Sequence, residues 1–375
     1  MTRKIVFLTG TRADFGKLKP LINMVDKSDL FECYVFVTGM HTLARYGSTF
    51  HEVERLGYQN VFVFMNQTAT TDADIILANT IVGFSNFVKE VAPDMIVVHG
   101  DRVETLAGVI VGSLNNILAA HIEGGELSGS IDELIRHAVT KLAHVHFVSN
   151  EEAKRRLVQM GENENSIVVI GSPDIDIMKS ENLPTLEEAK EHYGIPFDEY
   201  AIFVYHPITT EVNELEGDIK EVVSALLESG RNYMVVYPNN DKGSDIILKE
   251  YNRFNNKSHF RVLPSLRFEF FLSLLANAKF MIGNSSAGVR EAEVFGIPAI
   301  NIGSRQRSRT SSKHIINVDN DKKDILKAIS KAENMGFKPV SHFGDGNSYK
   351  KFYEVITNEK FWKTPVQKQF VDLEY

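Results

Sequence analysis

Unbroken apolar runs rich in β-branched residues recur along this chain, and segments of helical periodicity separate them. The runs are KIVFL (4–8), CYVFV (33–37), VFVF (61–64), MIVV (95–98), HVHFV (144–148) and IVVI (167–170), with helix-period segments around 74–91 and 131–143. A run that is apolar at every position has both faces buried. Strands of that kind joined through helices form a parallel sheet covered on both sides. The alternation restarts after residue 200 with AIFVY, YMVVY, KFMIG and PAINI. One helix between them carries Ile219, Val222, Val223 and Leu226, the stripe that faces a core. The fold class is therefore α/β: two doubly wound Rossmann-like domains facing a cleft. GSPDID (171–176) and the polar stretch 179–191 separate the two series. We expect 1–172 to form the first domain and 173–355 the second, with 356–375 a C-terminal helix packing back on the first. In open sheets of this kind ligands bind outside the carboxyl ends of the strands, so function is sought in the loops that follow them.

A chain of 375 residues has room for two such domains, and 43% hydrophobic with 24% charged residues is an ordinary globular balance. Forty-one basic against forty-nine acidic residues give a net charge of −8, which argues against a dedicated nucleic-acid binder. The single cysteine, Cys33, excludes a disulfide within the chain and any cysteine-based metal cluster, and its alternating surroundings make it a packed strand residue. No apolar run reaches the length of a membrane span. The apolar part of MTRKIVFLTG is too short for a signal peptide and reads as the first strand, so the cytoplasm is the expected compartment.

The loop after the first strand is TGTRADFGKLKPL (9–21), in which Gly10 permits a tight turn while Arg12 and Lys17 flank a helix start. Backbone N–H groups, the helix dipole and two cations suit an anionic ligand, although a solvated basic helix start reads equally well. Neither GxGxxG in this loop nor GxxxxGK[ST] anywhere is present. The fourth strand ends in VVHGDRVET (97–105), whose His99, Asp101, Arg102 and Glu104 are too polar for packing alone. Asp101 also reads as a helix cap or turn residue. After the fifth strand comes AAHIEGGELSGSIDELIRH (119–137), with Glu123 beside the Gly124–Gly125 pair and Asp132 near the next helix start, followed by Arg136 and His137. Asp132 could simply complement the helix dipole. Several carboxylates at one sheet edge nonetheless suit proton transfer, because crowding pushes their pKa values apart.

Twelve histidines prompt a search for a metal site, but HExxH is absent, and His144 and His146 lie in a strand with no carboxylate nearby in sequence. His206, in VYHPITTE, ends the first strand of the second domain and should face the cleft, although a loop histidine before a proline is an equal reading. Further on, FMIGNSSAGVREAEVFGIPAINIGSRQRSR (280–309) runs a strand into Gly283-Asn284-Ser285-Ser286-Ala287-Gly288. A helix starting there would make a phosphate cradle without a lysine. Glu291, one to two turns into that helix, would suit a ribose diol. Arg305, Arg307 and Arg309 crowd the next loop, where one could meet a phosphate and the others be solvated. The ensemble resembles a nucleoside-diphosphate-sugar site in a glycosyltransferase-B-type fold.

The motifs TGTRADFGKLKPL, HGDRVET, HIEGGELSGSIDELIRHAVTKLAHVHFVSN, YHPIT and GNSSAGVREAEVFGIPAINIGSRQ together resemble the UDP-N-acetylglucosamine 2-epimerases, colinear over about 3–320. The match is closest to the hydrolysing branch that makes N-acetylmannosamine for sialic acid synthesis. TRADF and GDRVE stand where the reversible branch has GTRPE and GDTTT. The resemblance implies a reaction without cofactor or metal. A base removes the C-2 proton as UDP leaves C-1, and water adds to the resulting 2-acetamidoglucal. It implies Asp101, Glu123, Asp132 and His206 as catalytic residues, with no unique base assigned. It implies Arg12, Lys17 and Arg102 near the diphosphate and sugar, Asn239 as a ligand contact, and Ser285 and Ser286 on the diphosphate. Glu291 falls to the ribose and Arg305 to a phosphate. A UDP-sugar partner and a homodimer are also implied. The rival readings are a hydrolysing epimerase of UDP-N,N′-diacetylbacillosamine, a catalytically silent UDP-sugar-binding regulator, and a glycosyltransferase of the same fold.

Overall fold

The apolar runs fold as parallel strands in two separate sheets, and the polar loops fall at their carboxyl ends. The protein is described by a computed structural model covering residues 2–128, 131–307, 312–340 and 342–372. Two compact units account for the chain. One comprises Met1–Glu126, Asp132–Glu181 and His342–Tyr375, the other Leu127–Ile131 and Asn182–Ser341.

In the first unit the strands are β1 (Arg3–Thr9), β2 (Phe31–Val37), β3 (Val61–Val63), β4 (Met95–His99), β5 (Leu118–Ile122), β6 (Val145–Val148) and β7 (Ile167–Val169). They pair in the order β3-β2-β1-β4-β5-β6-β7, all parallel. Alternate residues of each strand serve opposite faces. Ile5, Phe7, Val97 and Ile122 pack with Leu18 and Leu21 of the helix Arg12–Asp26 and with Phe352 of the helix Ser348–Ile356. Val6, Leu8, Ile96 and Val98 pack on the other side with Phe84, Val88 and Val109. Cys33 is buried in β2, and burial pushes its thiol pKa up, as befits a packing residue.

The second unit repeats the arrangement with β8 (Ala201–Val204), β9 (Tyr233–Val236), β10 (Phe260–Leu263), β11 (Met281–Gly283), β12 (Ala299–Ile302) and β13 (Ile315–Val318), in the order β10-β9-β8-β11-β12-β13. Ile219, Val222, Val223 and Leu226 are buried against Phe203, Val235 and Ile282, as their spacing requires. In each sheet the strand order reverses direction once, between β1 and β4 and between β8 and β11. Those reversals are where a doubly wound sheet opens a crevice for a ligand. No helix among the described residues is long and apolar enough to cross a membrane.

Three sequence expectations differ from the structure. Contacts place the change of unit after Glu181 rather than after 172. GSPDID is not a linker: Pro173–Met178 is a buried helix of the first unit, because Asp174 meets Lys17 and Asp176 receives the N–H groups of Ser348 and Tyr349. The returning helix is Ser348–Ile356, and 356–375 does not continue it; only a single turn, Phe361–Lys363, follows among the described residues.

Candidate active site

The first group of side chains stands at the β1/β4 reversal and the neighbouring end of β5. Glu123 follows β5 directly and has φ of +63°, a left-handed conformation that a residue with a Cβ seldom adopts. Four contacts hold it there. Its N–H donates to the Phe147 carbonyl at 2.9 Å, and its carbonyl accepts from Arg136 Nη1 at 2.7 Å. Its carboxylate accepts the Ser172 hydroxyl on one oxygen and lies 3.2 Å from His99 Nε2 on the other. The His99 approach is an ion contact rather than an aligned hydrogen bond. The carboxylate is 2% exposed as part of the residue, so its environment rather than water sets its charge.

The other ring nitrogen of His99, Nδ1, meets Asp14 Oδ1 at 2.8 Å. Asp14 sits in the first turn of the helix Arg12–Asp26, where Thr11 caps its N–H and Gly10 donates to its second oxygen. Burial opposes charge on His99, but Glu123 and Asp14 outweigh it and push the imidazole up to about 9. Arg136, 4% exposed, spans from the Glu123 carbonyl to the Asp101 carboxylate. Asp101 and Glu123 therefore share one guanidinium, which is the convergence the motifs predicted for those two. Asp132 is half-buried in the first turn of Ile131–Leu142, four residues before Arg136 and so on the same side of that helix.

Arg12 and Lys17 are engaged with acidic groups. Arg12 Nε meets Glu52 at 2.9 Å, and Lys17 lies 3.3 Å from Asp174. Arg102 Nε lies 3.4 Å from Glu104, whose carboxylate is buried against Gly10 and Gly39. The Gly124–Gly125 pair does admit close neighbours, but they belong to the chain itself. A Cβ on Gly124 would sit 2.9 Å from the His121 ring, and one on Gly125 only 2.4 Å from the Ala153 carbonyl.

The second group stands at the β8/β11 reversal. His206 is buried just beyond β8, and its backbone is gripped by Asn284: its N–H donates to Asn284 Oδ1 at 2.6 Å and its carbonyl accepts from Nδ2 at 2.8 Å. The N–H of Asn239 donates to His206 Nδ1 at 3.0 Å. Gly283 has φ of +128°, and a Cβ there would lie 1.9 Å from the Val204 carbonyl, so only glycine allows β8 and β11 to meet this way. Ser285 and Ser286 follow, half-buried, at a single 3-10 turn, Ser286–Gly288. This corrects the expected cradle, because no helix begins at GNSSAG. The helix is the short Glu291–Phe295, and buried Glu291 is its first residue rather than one to two turns inside. Arg305 is buried and donates to the Asn284 carbonyl at 3.1 Å, beside Gln306, which does the same. Arg307 pairs with Asp319 at the surface, and Arg309 lies outside the described residues.

Sequence reasoning passed over Asp14, Ser172 and Asn284 as functional residues. Asp14 and Asn284 lie inside quoted motifs, so polarity next to a turn was the available signal. Ser172 carried none, since its partner Glu123 is 49 residues away.

Two doubly wound parallel sheets, each with polar side chains gathered at its strand-order reversal, define an α/β protein of glycosyltransferase-B-like architecture. Its likeness to the Methanocaldococcus jannaschii UDP-GlcNAc 2-epimerase, solved in complex with UDP-GlcNAc and UDP, has a TM-score of 0.78 at 22% identity, over 94% of this chain and 99% of that one. The model of the UDP-N-acetylglucosamine 2-epimerase family matches residues 23–357, and the chain belongs to that family. It is 47% identical over 375 residues to a UDP-N-acetylglucosamine 2-epimerase of Neisseria meningitidis serogroup B, covering 99% of each chain. It is 32% identical over 361 residues to the UDP-N,N′-diacetylbacillosamine 2-epimerase (hydrolyzing) of Legionella pneumophila, covering 95% of this chain and 96% of that one.

Proposed function

We propose that the protein is a hydrolysing UDP-N-acetylglucosamine 2-epimerase, converting UDP-N-acetylglucosamine and water to N-acetylmannosamine and UDP for sialic acid synthesis. The observation that carries this reading is the buried Glu123 at a sheet crevice, held by two contacts on its backbone and two on its carboxylate, with Asp101 one guanidinium away. The C-2 proton of the sugar is not acidic, so its removal has to accompany loss of the leaving group at C-1. The C-2–H electron pair becomes the C-1–C-2 double bond, and the C-1–O pair departs with UDP. Water then delivers oxygen to C-1 while a proton returns to C-2 on the opposite face. This needs carboxylates for the proton steps and donors for the departing diphosphate.

In this assignment Asp101, Glu123, Asp132 and His206 form the catalytic set, with no single base singled out. Ser285, Ser286, Asn239 and Arg305 serve UDP, and Glu291 its ribose. Arg102 serves the sugar and diphosphate, as do Arg12 and Lys17, which would have to exchange Glu52 and Asp174 for the ligand. The relative of 47% identity supports the UDP-N-acetylglucosamine substrate, and the Legionella relative, whose name carries the hydrolysis, supports that outcome. The same Legionella relative favours a second reading, the diacetylbacillosamine substrate, at lower identity. We further propose that the enzyme is cytoplasmic and acts as a homodimer.

The test is incubation of the pure protein with UDP-N-acetylglucosamine and no acceptor, after dialysis against chelator, with products followed by NMR in heavy water. UDP and N-acetylmannosamine deuterated at C-2 should accumulate in step. UDP-N-acetylmannosamine in equilibrium with substrate, with no free sugar, would place the protein in the reversible branch. Turnover of the diacetylbacillosamine substrate alone would select the second reading.

A further inference from the structure

Four histidines of the first unit, His41, His121, His144 and His146, are buried and held away from charge. Burial drives His41 down to about 4 and His121 to about 3. His144 and His146 are lowered for the same first cause. Their hydrogen-bond partners favour the charged ring but do not outweigh burial. His41 lies between the hydroxyls of Thr9 and Thr49, His121 meets the Gly100 carbonyl, and His144 meets the Val366 carbonyl. His146 does touch a carboxylate, Glu162, but Lys141 and Lys368 already compensate that charge.

His99 is built differently. It ends β4 at the sheet reversal, with a carboxylate on each ring nitrogen: Asp14 at 2.8 Å and Glu123 at 3.2 Å. His121 from β5 is a further titratable neighbour, and Arg136 from Ile131–Leu142 is engaged by the Glu123 carbonyl and by Asp101. Asp14 itself faces His41 and shares its helix with Arg12. Neither ring nitrogen of His99 serves a backbone group, so packing alone does not account for this geometry.

We propose that His99, anchored by Asp14, is a positioning residue that keeps Glu123 an oriented carboxylate, ready to exchange a proton with the sugar. This rests on the reading of Glu123 as one of the proton-transfer carboxylates. The physical need is plain. A carboxylate this deeply buried favours its neutral form, and a neutral acid cannot accept the C-2 proton. An imidazolium on one oxygen restores the charged form. The Ser172 hydroxyl on the other oxygen leaves the carboxylate little freedom to rotate. Asp14 stabilises the charge on the ring and fixes its plane.

The test compares His99→Gln and Asp14→Asn with the wild-type chain by steady-state kinetics across pH, and by nitrogen-15 histidine NMR of the wild type and Glu123→Gln. In His99→Gln, turnover at neutral pH should fall about 10- to 100-fold with KM changed less than about twofold. The acidic limb of the kcat profile should move up by about one pH unit or more, because Glu123 loses the cation beside it. Asp14→Asn should move the limb in the same direction by less. Losses of turnover with unmoved pH limbs in both variants would reduce His99 to a structural residue and overturn the proposal. The spectra decide independently of turnover. A His99 ring still protonated at pH 8, and neutral there in Glu123→Gln, supports the ion array, whereas titration near 6.5 in the wild type overturns it. A wild-type chain with the array intact but releasing no UDP from either UDP-sugar would sink the functional reading, and with it the role of His99 in proton transfer.

Discussion

His206 accepts the backbone N–H of Asn239 on Nδ1 at 3.0 Å, which leaves Nε2 as the ring nitrogen that carries the proton. Protonating Nδ1 would break that bond and set two donors against each other. The ring is thereby arranged to give a hydrogen bond through Nε2 rather than to take a proton at Nδ1. Nitrogen-15 NMR at neutral pH should show His206 as the neutral Nε2–H tautomer. His206→Ala should lower kcat by about 10²- to 10⁴-fold, the range for a lost proton donor. A spectrum showing the Nδ1–H tautomer would contradict the geometry.

Arg136 ties the backbone of Glu123 to the side chain of Asp101, and the guanidinium is almost wholly buried. Arg136→Met keeps the volume and removes the charge, leaving Asp101 and the Glu123 carbonyl without their donor. Breaking a buried pair from one side costs about 3–5 kcal/mol, and the partial exposure of Asp101 reduces this to about 2–3 kcal/mol. Urea unfolding should show the midpoint falling at constant m. An unchanged midpoint would mean that water replaces the guanidinium at no cost.

The two reversals should divide labour. In the proposed assignment Ser286→Ala and Glu291→Ala would remove UDP contacts that ground and transition states share, so UDP affinity should fall about tenfold for each. Glu123→Gln should leave UDP affinity within about twofold while turnover collapses. Calorimetry with UDP separates the cases. Abolished UDP binding in a folded Glu123→Gln protein would argue against the catalytic assignment of Glu123.

The central strands were legible because they are apolar at nearly every position, as a doubly covered sheet requires. β10 and β13 escaped notice, and both are edge strands. Residues such as Arg261 and Asn317 are tolerated there because one side of the strand has no neighbour. The acidic residues of GSPDID read as a linker because composition cannot reveal that their partners, Lys17 and Ser348, arrive from 157 and 172 positions away. Asp101, Glu123 and His206 were legible as polar residues immediately beyond buried strands. The left-handed backbone of Glu123 and the hydroxyl of Ser172 that meets it were not, since both follow from tertiary contacts.

Glu162 is buried, yet Lys141, Lys368 and His146 surround its carboxylate. Burial works against the charge, but these donors outweigh it and hold the group down to about 2. The folded-state value is below the ordinary 4.5, so its contribution is present above about 4.5 and is lost as pH falls toward 2. Glu162→Gln should cost about 3 kcal/mol at neutral pH, following the size of that shift. Its unfolding free energy should converge with that of the wild type as pH falls from 4.5 to 2. Lys368 also donates to the carbonyls of Thr140 and Ala143, so the same substitution should speed proteolysis of the C-terminal segment. A difference in unfolding free energy that stays constant from pH 7 to pH 2 would mean that the carboxylate charge is not what holds this cluster.

Asn284 grips the His206 backbone from both ends of its amide, receiving an N–H at 2.6 Å and donating to the carbonyl at 2.8 Å. Its own carbonyl accepts Arg305 and Gln306, so one buried residue sets the position of the histidine and of the neighbouring loop. Asn284→Asp is nearly isosteric and isolates the hydrogen-bond pattern from packing. One carboxylate oxygen can still receive the His206 N–H, but the other then faces the His206 carbonyl, acceptor against acceptor, at full burial. The loss should be about 2–4 kcal/mol of stability, combining the missing bond with an unsatisfied buried charge. The histidine would be pushed off its place, so turnover should fall along with UDP affinity, whereas Asn239→Ala, which keeps its backbone N–H on Nδ1, should leave the His206 tautomer unchanged. A stability curve for Asn284→Asp that rejoins the wild type at acid pH would identify the charge as the cause. A variant as stable as the wild type at neutral pH would show that the amide bridge is not what positions His206.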